Sequence, residues 1–141
     1  MALSERTNMP DRYAIRAELL FTGGGRPALA DQRVEIENGR IVAIDDAGSG
    51  HADARFDILA PGFIDLQING AGGVMFNDTP DAQTIARMAA AARIGGTCHI
   101  MPTYITAAGT GYSDALAAVA ACSGPEILGV HLEGPFLSPE K

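Results

Sequence analysis

Near its C-terminal end the chain reads Gly129-Val130-His131-Leu132-Glu133-Gly134-Pro135-Phe136, an apolar run that delivers a histidine and a carboxylate two residues apart. Strand side chains alternate faces, so His131 and Glu133 point one way while Val130 and Leu132 point the other. The Gly134-Pro135 pair then stops the strand. An imidazole and a carboxylate presented where a buried strand meets a loop can ligate a cation or move a proton. The bland alternative is an edge strand with one solvated face.

A second polar row lies upstream, in Phe63-Ile64-Asp65-Leu66-Gln67-Ile68-Asn69-Gly70. Alternation puts Ile64, Leu66 and Ile68 on one face and Asp65, Gln67 and Asn69 on the other. Polar groups on the inner face of a strand are unfavourable unless they serve a site or bond one another. The site reading is favoured, with a hydrogen-bonded polar plug as the alternative for Gln67 and Asn69. Asp65 reads as a structural hydrogen-bonding residue, His99 as a satisfied interior histidine and His51 as a solvated loop residue. Gly23-Gly24-Gly25 follows a strand but leads into no GK[ST] or helix start, so it is not a phosphate loop. Met75, Met88 and Met101 read as core filler.

The elements that must position these groups follow from pattern. Residues 13–21 form a strand ended by Thr22-Gly23-Gly24-Gly25. Residues 34–37, Asn38-Gly39 and residues 40–44 form a β-hairpin, since Asn-Gly suits the two positive-φ positions of a type I′ turn. Residues 46–53 are a polar connection. Beyond Pro61-Gly62 apolar strands alternate with helical patterns, the signature of a parallel sheet. Strands are predicted over 63–68, 97–102 and 127–132. One helix is capped by Thr79 with Pro80 at its first position and closed by Gly95-Gly96. A second is capped by Ser113 and reaches about Cys122.

The reading is therefore an α/β protein in three parts: a disordered leader over 1–10, a small β region over 11–60, and a β-α-β-α-β run over 61–141. Three parallel strands alone would leave long unpaired edges, and a closed barrel of this kind takes about 250 residues. The expectation is that these are the first strands of a larger protein.

Composition bounds the partners. With 17 acidic and 10 basic side chains the net charge is -7, which argues against nucleic acid and anionic membranes as general partners. Hydrophobic residues make up 47% and charged residues 19%, as in ordinary globular chains rather than disordered ones. No stretch has the length of a signal peptide's apolar core or of a membrane span. Cys98 and Cys122 have no CxxC spacing and read as buried reduced thiols, which suits a cytoplasmic location.

Three stretches carry a resemblance: residues 38–44 (Asn-Gly-Arg-Ile-Val-Ala-Ile), residues 60–70 (Ala-Pro-Gly-Phe-Ile-Asp-Leu-Gln-Ile-Asn-Gly) and His131-Leu132-Glu133-Gly134-Pro135-Phe136. They resemble the amidohydrolase superfamily and, more narrowly, the N-acetylglucosamine-6-phosphate deacetylase family. Gly96-Thr97 leading to Pro102-Thr103 and Ile105-Thr106, and Pro139-Glu140-Lys141 after the last stretch, add to it. The likeness runs from about Tyr13 to Lys141 and corresponds to the N-terminal third or so of such an enzyme. It implies the start of a (β/α)8 TIM-type barrel beside part of a small β-sandwich.

The resemblance also implies a metal-dependent deacetylase. Such an enzyme converts N-acetylglucosamine 6-phosphate to glucosamine 6-phosphate and acetate. Glu133 matches the metal-binding glutamate; two ligand histidines and the catalytic aspartate belong to later strands, so no catalytic base is expected within this chain. Many superfamily members carry His-x-His where this chain has Gln67 and Asn69. Neutral amides are poor zinc ligands beside imidazole or carboxylate, so one divalent ion is expected, zinc first, with iron or another divalent ion as alternatives. Gln67, Asn69 and His131 are then candidates to orient water or ligand. A homodimer is implied for the full-length enzyme. A single carboxylate cannot hold the metal tightly, so the 141 residues alone are expected to be inactive. The competing readings are another amidohydrolase, such as a cyclic-amide hydrolase or a deaminase, and a truncated non-catalytic remnant pairing through its open sheet edge.

Overall fold

Asn38 and Gly39 both take positive φ, 51° and 73°, the geometry a two-residue hairpin demands. They join β2 (Leu29–Glu37) to β3 (Arg40–Asp46). The computed structural model describes residues 10–134 and Phe136; residues 1–9 of the expected leader, with Pro135 and residues 137–141 of the resemblance, lie outside the described residues. The chain divides into two compact units, Met1–Pro61 and Gly62–Lys141.

In the first unit β1 (Arg12–Leu20) pairs antiparallel with β2 and parallel with β4 (Ala54–Leu59), giving the order β3-β2-β1-β4. The strand β4 falls just beyond the stretch expected to be a polar connection. Directly paired residues share a face. One face therefore carries Tyr13, Ile15, Ala17, Val34, Ile36, Ile44, Phe56 and Ile58, and the other Arg12, Arg16, Arg33, Glu35 and Arg55. Three arginines abreast repel unless countered. Arg33 bonds Glu35 (2.6 Å), Arg12 reaches the same carboxylate (3.0 Å), and Arg16 grips Asp31 with two nitrogens (2.6 and 2.8 Å).

The second unit runs β5 (Phe63–Ile68), a short hairpin of β6 (Gly70–Ala71) and β7 (Val74–Met75), α1 (Ala82–Ile94), β8 (Thr97–Ile105), α2 (Gly111–Ala120) and β9 (His131–Glu133). The strands β5, β8 and β9 form a parallel sheet with β8 in the middle. Helix α1 is capped by Asp81, not Thr79: the Asp81 carboxylate accepts the Thr84 N–H at 2.7 Å. Helix α2 starts earlier than Ser113 would allow, with Thr110 at its cap position. The last strand is shorter than expected, because only His131–Glu133 pair with β8 and Ile127 makes an isolated bridge to Ile100.

The core of this unit forms where Phe76, Ile85, Met88, Ile100 and Tyr104 meet Ala115 and Ala118 of α2. Small residues on α2 let the helix approach β8 closely. Tyr104 packs edge-on to Phe76 and Tyr112, with centroids 6.2 and 5.1 Å apart. Two expectations fail here: Met75 is partly exposed rather than core, and Cys98 is exposed rather than buried. Cys122 is partly buried, and burial pushes its thiol above the ordinary value. No helix among the described residues is long and apolar enough to cross a membrane.

A Cβ on Gly111 would lie 2.5 Å from Cζ of the buried Tyr104 ring, which has no room to retreat. Gly111→Ala should therefore destabilise the fold in urea melts, because overpacking costs ~1–3 kcal/mol and helix propensity returns at most ~1. In the first unit, the Ala14 N–H donates to Asp53 at 2.8 Å, and this bond, with that of His51, holds the Asp53 carboxyl below its ordinary value. A depressed folded pKa gives stability that is present above the unfolded value of about 4 and lost as pH falls through the folded one. The fall in melting temperature below about pH 4 should be shallower in Asp53→Asn; an equal fall would exclude Asp53 as a source.

Candidate functional site

On β8, Ile100 and Tyr104 face the helices, so Thr103 and Ile105 face the opposite side of the sheet. The ladder sets His131 beside Thr103 and Glu133 beside Ile105. His131 and Glu133 therefore lie on the sheet face turned away from α1 and α2. Both are partly buried, while Leu132 between them is 37% exposed.

The polar row on β5 is arranged differently from simple alternation. Asp65 pairs with Ile100 and Ile68 with Pro102, so the register slips between them by a bulge. Asp65 thus lies opposite a residue of the helix-facing side and does not share the face of Gln67. Its carboxylate accepts the Gln67 N–H at 3.0 Å, satisfying a donor within the bulge. That makes Asp65 a structural residue, and it leaves Gln67 free to reach across β8. Gln67 Nε2 donates to Glu133 Oε2 at 3.4 Å. Two of the candidates are therefore brought together by residues 66 apart in sequence.

Asn69 closes the strand differently. Its carbonyl accepts the Phe76 N–H at 2.9 Å, while its side-chain Nδ2 is buried with no hydrogen-bond partner among the described residues. His99 keeps a partner, with Nδ1 3.0 Å from the Pro125 carbonyl, but it is only partly buried. His51 is solvated and pairs with Asp53 at 3.3 Å.

Sequence reasoning missed three residues at the strand ends. Asn77 clasps Ile105, donating to its carbonyl (2.9 Å) and accepting its N–H (2.8 Å). Thr106 Oγ1 and Tyr112 Oη both donate to the Glu133 carbonyl, at 2.7 and 2.9 Å. These polar side chains bond to backbone, so their only signal in the sequence is a polar residue flanking a strand or helix end.

Among the described residues no three His, Cys, Asp or Glu side chains converge to hold a metal ion. The donors that do converge are one carboxylate, Glu133, and one amide, Gln67. The amide occupies Oε2 and leaves Oε1 unbonded among the described residues. One anionic oxygen fits part of a divalent site, since a catalytic zinc takes about three protein ligands and a water.

No protein-family model matches the chain. Among curated proteins, it is 44% identical over 86 residues to an N-acetylgalactosamine-6-phosphate deacetylase of Shewanella, covering 59% of this chain and 22% of that protein. It is 35% identical over 134 residues to the N-acetylglucosamine-6-phosphate deacetylase of Bos taurus, covering 91% of this chain and 31% of that protein. Among solved structures, it superposes on the N-acetylglucosamine-6-phosphate deacetylase of Pasteurella multocida with a TM-score of 0.74 and 29% identity, over 92% of this chain and 36% of that one. The chain thus spans between about a fifth and a third of the length of these relatives. Over the stretch it spans, the chain is a homologue of the N-acetylglucosamine-6-phosphate deacetylases.

Proposed function

We propose that this chain forms the N-terminal part of a metal-dependent amidohydrolase. The reaction is hydrolysis of the N-acetyl amide of N-acetylglucosamine 6-phosphate, giving glucosamine 6-phosphate and acetate. The observation that carries the reading is Glu133, set at the end of a parallel strand on the face away from the helices and met there by Gln67. The parallel order of β5, β8 and β9 with α1 and α2 on one side supports the start of a (β/α)8 barrel. The apolar face of the first sheet, where Phe56 is 51% and Ile58 61% exposed, supports half of a β-sandwich.

In this reading Glu133 holds a divalent ion, zinc first, and the remaining ligands and the base come from chain beyond this stretch. The ion, when bound, lowers the pKa of water and polarises the amide carbonyl. Gln67 restrains the carboxylate by donating to one oxygen, which would leave the other for the cation. Asn69 offers a buried donor with no partner among the described residues, which suits an acceptor oxygen of the substrate and not a cation. His131 lies on the same face as Glu133 and is a group that supports the ligand shell. One observation favours a second substrate: the Shewanella relative is named for the galactosamine epimer, so N-acetylgalactosamine 6-phosphate belongs in the same assay.

The polypeptide expressed from its natural reading frame should release acetate from one or both phosphorylated sugars, faster than from unphosphorylated N-acetylglucosamine. Chelation should abolish the release and added zinc restore it. The 141 residues alone should release none. Metal-dependent acetate release by those residues alone would overturn the single-ligand account, and cyclic-amide hydrolysis without acetate release would point to another amidohydrolase.

A further inference from the structure

The carboxylate of Glu133 is aimed by its own backbone. The β8–β9 ladder ends at the pair Ile105 and Glu133, so among the described residues no neighbouring strand fixes the peptide between Glu133 and Gly134. The carbonyl carbon of that peptide is placed by φ of Glu133, the torsion that also sets the direction in which its side chain leaves the strand. Two hydroxyls take over where the ladder stops. Thr106 Oγ1 and Tyr112 Oη lie 2.7 and 2.9 Å from the carbonyl oxygen and 3.2 Å from each other, using both of its lone pairs.

Each hydroxyl is held in turn. Thr106 follows Ile105, whose N–H and carbonyl are both bonded by Asn77. The Tyr112 ring packs edge-on to buried Tyr104, with centroids 5.1 Å apart. Gly134 completes the arrangement: its φ is +96°, and a Cβ there would collide with Thr106 Oγ1 and lie 3.0 Å from Tyr112 Oη. Only glycine lets both hydroxyls reach the carbonyl. Helix α2 is thereby tied to the backbone of Glu133, whose carboxylate lies on the opposite face of the sheet.

We infer that Thr106 and Tyr112 are positioning residues that clamp the Glu133 backbone so that its carboxylate is preset for a divalent cation. This rests on the reading of Glu133 as a metal ligand. The clamp acts without touching the cation, by restraining the rotation about the N–Cα bond of Glu133 that would otherwise swing the ligand away. Outer groups that orient a ligand typically contribute about 10–100-fold in metal affinity.

The test is zinc affinity by competition with a chromophoric chelator, on the polypeptide expressed from its natural reading frame, with melting temperature recorded in parallel. The Thr106→Val/Tyr112→Phe double variant should bind zinc ~10–100-fold more weakly. Thr106→Ser/Tyr112→Phe, which keeps one hydroxyl, should recover part of that loss and guards against a double variant that fails to fold. Glu133→Gln reports on the underlying reading. If it weakens zinc while both clamp variants bind as tightly as wild type, the clamp is overturned and the ligand assignment stands. Wild-type zinc affinity in Glu133→Gln would overturn both. A merely structural role for the hydroxyls would lower the melting temperature and leave zinc affinity unmoved.

Discussion

A parallel ladder must stop somewhere, and the backbone groups just beyond its last pair need other partners. In the second unit this constraint is met by side chains at each strand end that bears on the site. Asn77 takes both polar groups of Ile105, Thr106 and Tyr112 take the carbonyl of Glu133, and Asp65 takes the N–H of Gln67 within its bulge. Buried carbonyls and amides left unpaired would cost about 1–3 kcal/mol each, so these bonds are also what makes the ends of β5, β8 and β9 definite in place. Site geometry and fold stability are here the same set of interactions.

Packing on one side of the sheet is thereby transmitted to the other. Phe76, Tyr104 and Tyr112 stack in sequence through the helix-side core, and the last of them ends on the strand that carries the carboxylate. The small residues of α2 are part of the same arrangement. Gly111 leaves space for the Tyr104 hydroxyl, and Ala115 and Ala118 bring the helix close enough for Tyr112 to reach β9. Each unit also leaves large apolar side chains in water: Phe56 and Ile58 in the first, Phe63, Ile64 and Leu66 in the second.

The hairpin and the strand over 63–68 were legible because local chemistry dictates them: Asn38-Gly39 admits the turn and Pro61-Gly62 marks the strand's start. Phe56 and Ile58 alternate with Arg55 and Asp57, a strand signal masked by the polar connection before it. The cap of α1 moved from Thr79 to Asp81 because both are capping residues and only tertiary placement decides which carboxylate or hydroxyl meets the helix N–H groups. Glu133 was visible as a polar residue at a strand end. Its partners were not, since Gln67 lies 66 residues away and reaches it through a bulge that breaks strict alternation. Thr106, Tyr112 and Asn77 bond to backbone, and a backbone partner leaves no mark on residue type.

The claim on which the rest turns is that Glu133, fixed at the end of β9, is a ligand for a divalent cation. Diffraction data collected at the zinc absorption edge, from crystals of the natural-length polypeptide grown with zinc, address it most directly. An anomalous peak is expected about 2.0–2.2 Å from a Glu133 carboxylate oxygen, with Thr106 and Tyr112 still on its carbonyl. A zinc peak held by other residues, with the Glu133 carboxylate turned away from it, would exclude Glu133 as a ligand.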